Sequence, residues 1–304
     1  MVRYDKSAAD AGSKYVRKRG SGIPGGGKAV IGGGGSVLML ILALIFGGDV
    51  LGSDNAVNTQ SGAAVNSPRS TIADDDPCDD GKTEELMCFL MNDLNTTWEK
   101  KFAEYDETYE PTYLNIFTGG VTTNGCGSAS SASGPFYCPA PQDKEVYIDL
   151  GFYDQLATEY DAPGDFAQAY VIAHEVGHHI SNISGDAETI RTNQQQDSQR
   201  SNQYQVLLEL QADCYAGIWA NSASQRRTRE GFTIIEPDDI SEGLEAAAAV
   251  GDDRIQKRMT GQVNPHNWTH GSAAQRQTAF VTGFKSGEIG SCALEQMDRV
   301  TQVS

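Results

Sequence analysis

No cysteine occurs in the first 77 residues of this 304-residue chain. The six that follow, Cys78, Cys88, Cys126, Cys138, Cys214 and Cys292, lack the close spacing of zinc fingers, which excludes a cysteine-based metal site. Positive charge is also scarce. With 23 Lys plus Arg against 41 Asp plus Glu, the formal net charge is −18. A surface of that sign repels phosphate, so ordinary nucleic-acid binding is excluded. Internal repeats are absent as well. What is present suffices for a packed core, since 39% of residues are hydrophobic and the length fits one or two domains.

Charge is distributed unevenly. Residues 1–28 hold seven basic and two acidic groups, a net of +5, which leaves −23 for the remainder. Between these regions, residues 29–48 carry no charge and residues 37–46 (VLMLILALIF) are continuously apolar. That length suits one helical crossing of a bilayer, and the flanking charges favour a cytoplasmic N-terminus. The expected organisation is therefore a basic cytoplasmic leader (1–28), a transmembrane helix (29–48), a flexible acidic tether (49–80) and an extracytoplasmic domain (81–304). A cleavable signal peptide, with secretion of the rest, is the alternative. An even number of cysteines, all beyond the apolar segment, predicts disulfides, with Cys126–Cys138, Cys214–Cys292 and Cys78–Cys88 as the expected pairs.

The fold class expected is α+β, mostly helical with a small β-sheet. Leu86, Leu90, Leu94, Trp98, Phe102 and Tyr105 recur at helical spacing. Residues 113–117 (YLNIF) and 145–150 (EVYIDL) read as strands. Helices are expected from Phe166 to Ile180, from 203 to 220, from 240 to 248 and from 273 to 284. The polar stretch 184–201 reads as an exposed insertion.

Within the helix from Phe166 lies His174-Glu175-Val176-Gly177-His178, an HExxH pattern. Residues i and i+4 of a helix differ by about 40° in azimuth, so both imidazoles can reach one zinc ion while Glu175 acts as general base. The next helix offers Glu209 and Asp213, again four apart and set among Leu207, Leu208, Leu210 and Ala212. Carboxylates in apolar surroundings need a cation. One of the two can complete the metal site while the other holds a ligand imidazole by its N–H. Gly177 and Gly217 would let helices approach closely.

The HEVGH and ELQAD blocks resemble the gluzincin pattern. Together with GPFYCPA from Gly134, APGDFAQAYVIAHEVGHHI from Ala162, LELQADCYAGIWA from Leu208 and THGSAAQR from Thr269, they make residues 82–292 similar to the bacterial neutral zinc metallopeptidase family. That resemblance implies a zincin-like, membrane-anchored metalloendopeptidase with one Zn2+ per chain. It implies His174, His178 and Glu209 as ligands, Glu175 as general base and Asp213 as the partner of a ligand histidine. The THGSAAQR block, with His270 and Arg276, looks like the late His and Arg element of membrane-associated gluzincins, and His270 is expected to act on the reaction oxyanion. His179 reads as structural, with His266 and Tyr215 as weaker candidates.

The expected partner is a peptide or protein substrate, held as an added strand along residues 145–150; nothing in the sequence sets an oligomeric state. Two rival functions share these residues: a non-catalytic zinc-containing scaffold of the envelope, and a zinc amidase acting on cell-wall peptides.

Overall fold

The computed structural model describes residues 1–19, 76–79, 81–160 and 162–303. The N-terminal segment supplies α1 (Lys6–Asp10) and β1 (Val16–Arg19). The first long helix, α2 (Lys82–Ala103), buries Leu86, Leu90, Leu94 and Trp98 on the face expected from their spacing. Acidic Glu84 and Glu85 in its first turn and Lys100 and Lys101 in its last suit the helix dipole. Next come β2 (Leu114–Phe117) and a hairpin of β3 (Gly120–Thr122) and β4 (Ser128–Ser130). β5 (Phe136–Cys138) and β6 (Glu145–Asp149) follow.

The remaining chain is helical: α3 (Gly151–Thr158), α4 (Asp165–Ile183), α5 (Asp186–Gln196), α6 (Ser201–Ser224), α7 (Pro237–Ala249), α8 (Asp252–Thr260), α9 (Ala273–Ser286) and α10 (Leu294–Val300). The architecture is thus α+β, mostly helical with a small sheet, as the sequence predicts. Among the described residues no helix is long and apolar enough to cross a membrane. The segment 29–48 and residues 49–75 of the tether lie outside the described residues.

The four-stranded sheet has the order β1-β2-β6-β5, with the first three parallel and β5 antiparallel to β6. Residues 145–150 were expected to offer an open edge to substrate. Instead β6 is central, hydrogen-bonded to β2 on one side and β5 on the other, and its five residues are all buried. A strand paired on both sides has no free main-chain groups for a peptide. Among the described residues, the free edge on the β6 side is β5.

α4 lies between this sheet and α6, and α9 packs on the far side of α6. Small residues set these spacings. A Cβ on Gly177 would sit 2.7 Å from the Ala212 carbonyl oxygen, and one on Gly217 would sit 2.1 Å from that of Phe280. Buried Asp93 on α2 accepts from the Trp219 indole at 2.9 Å and pairs with Arg226, tying α2 to the end of α6. The stretch 184–201, expected as an insertion, folds as α5 and a short 3-10 turn; Ala187 and Ile190 bury one face, and the rest is polar because it meets solvent.

All three disulfides, Cys78–Cys88, Cys126–Cys138 and Cys214–Cys292, are those predicted. The separation of residues 1–28 as a leader does not hold for residues 1–19. α1 packs on α2, β1 pairs with β2 in register from Val16↔Leu114 to Arg19↔Phe117, and Val2, Ala9 and Val16 join the core. The physical reason is charge as well as packing: Arg17 and Arg19, on one face of β1, reach the Glu145 carboxylate of the central strand.

Candidate active site

α4 carries the HExxH residues, and its N-terminus is fixed from outside. Glu242 of α7 accepts hydrogen bonds from the Phe166 and Ala167 amides, both at 3.0 Å, and so satisfies donors that a helix start leaves open. One turn of α4 places His174 and His178 on the same side, facing Glu209 of α6 across the close contact that Gly177 permits. The Glu209 Oε2 atom lies 3.3 Å from His174 Nε2 and 3.6 Å from His178 Nε2. One ligand atom from each of the three residues lies within 4.8 Å of the others.

These separations match those around a metal. Ligands about 2.1 Å from a tetrahedral zinc are about 3.4 Å from one another. The donor chemistry agrees: Glu209 Oε2 is buried and has no hydrogen-bond partner among the described residues, whereas Oε1 accepts from Gln205 Nε2 at 3.0 Å. With the His174 proton on Nδ1, directed at Asp213, its Nε2 turns a lone pair towards Glu209. An orphaned carboxylate oxygen opposite imidazole lone pairs is a cation site.

Electrostatics says the same. Burial lowers the His174 pKa, but Asp213 and Glu209 outweigh it and lift the ring to about 9. The surroundings therefore favour positive charge at His174 Nε2, and a divalent cation would satisfy that preference by displacing the proton. Glu209 itself is held well below the usual carboxylate range; burial opposes this, and His178 and His174 prevail.

Asp213 joins His174 to a buried network. Its Oδ1 is 2.8 Å from His174 Nδ1 and also accepts from the Tyr170 hydroxyl. Arg276 of α9 grips it with Nε to Oδ2 at 2.7 Å and Nη2 to Oδ1 at 2.9 Å, and donates to the Tyr170 oxygen at 3.0 Å. Burial works against an ionised Asp213, but Arg276 and His174 bring its pKa to about 2. An ionised Asp213 fixes the His174 tautomer with Nε2 free for metal. Glu175 is buried beside this group, and burial raises its pKa despite the opposing histidines, which makes it a better base than an exposed glutamate.

His270 is placed by a residue the sequence reading did not single out. Asp252, at the start of α8, accepts from the Thr269, His270 and Gly271 amides at 2.7, 2.7 and 3.1 Å with Oδ2, and its Oδ1 is 3.0 Å from His270 Nδ1. The ring is buried, bears on Glu209 electrostatically, and stands outside the three-ligand group. Tyr170 has no role in the sequence pattern, and Arg276 enters there only as part of the late His and Arg element. Tyr170 had a local signal, since it stands four residues before His174 on one helix face. Asp252 had none, because 18 residues separate it from His270.

The weaker candidates separate cleanly. His179 is structural: its Nε2–H donates to the Glu110 carbonyl at 2.7 Å and its Nδ1 accepts from the Tyr137 hydroxyl at 3.0 Å. Tyr215 is buried edge-on against Trp98, and His266 is exposed. Beside His174 and Glu175 opens an apolar pocket lined by Pro135, Phe152, Val171, Val250 and Ile255.

A family model described as "Putative neutral zinc metallopeptidase" matches residues 7–294. The chain is 38% identical over 256 residues to the uncharacterized protein YpfJ of Escherichia coli K12, covering 84% of each chain. It is 44% identical over 206 residues to the uncharacterized protein Rv2575 of Mycobacterium tuberculosis H37Rv, covering 66% of this chain and 67% of that one. No solved structure matches significantly.

Proposed function

The chain belongs to the family of putative neutral zinc metallopeptidases, and from that premise we propose that it is a zinc-dependent endopeptidase of zincin-like fold. The observation that carries the reading is the buried, unpartnered Glu209 Oε2 facing His174 Nε2 and His178 Nε2. His174, His178 and Glu209 would hold one zinc ion per chain. Zinc held there would supply Lewis acidity for the scissile carbonyl and make water acidic enough to deprotonate near neutral pH.

The protein's own groups do the rest. Glu175 takes the proton of the attacking water at its carboxylate and passes it to the departing amine nitrogen. Asp213, braced by Arg276 and Tyr170, keeps the His174 ring oriented. With Nδ1–H given to Asp252, His270 has Nε2 left for the reacting carbonyl oxygen, to which it donates when the ring is protonated. The free edge of β5 suits an extended peptide bound as an added strand, and the pocket at Pro135 and Val171 suits an apolar side chain next to the scissile bond.

Three ligands rather than four favour catalysis over a purely structural zinc, because among the described residues no fourth His, Cys, Asp or Glu joins the group. The test is metal analysis with peptide hydrolysis on the full chain. About one zinc per chain is expected, with hydrolysis abolished by chelation and restored by zinc. Full zinc loading without cleavage of any unfolded protein or peptide library would overturn the endopeptidase reading and leave the scaffold and the cell-wall amidase standing.

A further inference from the structure

Residues 1–19 are built into the peptidase domain at several independent points. β1 forms a parallel edge of the sheet on β2 over four residues. Arg17 and Arg19 both reach Glu145, which is buried in β6, and Arg19 Nε donates to Asn115 Oδ1 at 2.7 Å. Tyr4 stacks on Phe89 of α2 with ring centroids 4.7 Å apart. The Arg3 amide donates to the Ile234 carbonyl at 2.9 Å, and its guanidinium pairs with Glu236 at 2.9 Å. Gly12 lies so close to the Cys88 carbonyl that a Cβ would come within 1.9 Å of its oxygen. Removing this segment would strip the cations from a carboxylate that the central strand buries, and buried charges require partners.

We infer that residues 1–19 and residues 76–303 occupy the same side of any membrane the protein meets, because strand β1 is an integral part of the peptidase fold. The hydrocarbon core of a bilayer is about 30 Å thick, and a strand pair needs its chains about 4.8 Å apart. The uncharged residues 29–48 are long enough for one helical crossing only, at about 1.5 Å per residue. A single crossing there would put β1 and β2 on opposite sides and is incompatible with their pairing. The expected arrangement of a cytoplasmic leader and an exported domain is therefore replaced by one with residues 1–19 and the domain on one side. The family match, which begins at residue 7, includes α1 and β1 in the same unit.

The test is thiol accessibility in the full-length protein. Ser7 on α1 and Ser286 at the end of α9 are both exposed, and all native cysteines among the described residues are in disulfides. Ser7→Cys and Ser286→Cys are each treated with a membrane-impermeant maleimide in intact cells and in inverted membrane vesicles. The expected result is the same labelling pattern for both, within about twofold; equal labelling of a protein recovered in a soluble fraction agrees with it as well. Labelling of one only in cells and of the other only in inverted vesicles would overturn the inference. Should Ser7→Cys impair folding, Asp10→Cys, exposed on the same helix, reports the same position.

Discussion

His270 and His179 show how the same side chain is assigned opposite tasks by its partners. Around His270, one Asp252 carboxylate holds three backbone amides and the ring, so the imidazole has little freedom to turn. Replacement by alanine should lower kcat by about 10²-fold, the scale of losing one oxyanion donor, while zinc content stays unchanged. Steady-state kinetics and metal analysis on the same preparation check this. His179 is buried as the neutral ring, and burial takes its pKa down to about 4 from 6.5. The unfolded chain then binds more protons than the folded one between those values. The stability that neutral burial contributes is present above pH 6.5 and is lost as pH falls through about 4, a loss of roughly 3 kcal/mol. Urea titrations at pH 7, 5 and 4 should show a weaker acid dependence for His179→Gln than for wild type. The grouping of His174 with His178 and of Glu209 with Asp213 is legible in the sequence because four-residue spacing is local to a helix. The Asp252–His270 contact joins two elements and leaves no such trace.

Helices and strands differed in how far they could be read. The long amphipathic helices α2, α4, α6 and α9 announce themselves by a buried stripe; the expected ranges of the last three agree with those observed, whereas α2 ends at Ala103 and leaves Tyr105 exposed beyond it. α5 did not, because only Ala187 and Ile190 are buried in an otherwise polar run. The sequence of β6 predicts a strand but not its central place, since hydrogen-bonding neighbours are set by β2, β5 and the chain between them rather than by the strand's own residues. The Cys214–Cys292 bridge clamps α6, which carries Glu209 and Asp213, to the C-terminal region across 78 residues. On the chain-entropy model a loop of that size stabilises by about 4.5 kcal/mol. The double variant Cys214→Ser, Cys292→Ser should lose about that much in denaturant titration, and apparent zinc affinity should fall with it as α6 loosens. Unchanged stability would mean that the rest of the core already fixes α6.

The whole molecule changes the meaning of its charge distribution. The basic N-terminal residues look from composition like a leader, yet Arg17 and Arg19 neutralise Glu145 inside an acidic protein. Composition could not show this, because a strand of the sequence Val-Arg-Lys-Arg reveals its role only beside the carboxylate it covers. Replacing both arginines with alanine leaves Glu145 buried with Asn115 as its side-chain hydrogen-bond donor. The cost should be roughly 2–4 kcal/mol, towards the lower part of the range for a buried pair because both guanidinium groups are partly exposed. Thermal unfolding of the double variant checks this, and adding Glu145→Gln should recover much of the loss.

His174, His178 and Glu209 are proposed to hold a catalytic zinc for which Glu175 serves as the base. Glu175→Gln removes the base and leaves the three ligands in place. The most direct measurement is the rate of peptide hydrolysis by this variant against wild type at equal zinc content. A fall of about 10³-fold or more with zinc retained is the predicted result. Hydrolysis at the wild-type rate by zinc-loaded Glu175→Gln would contradict it.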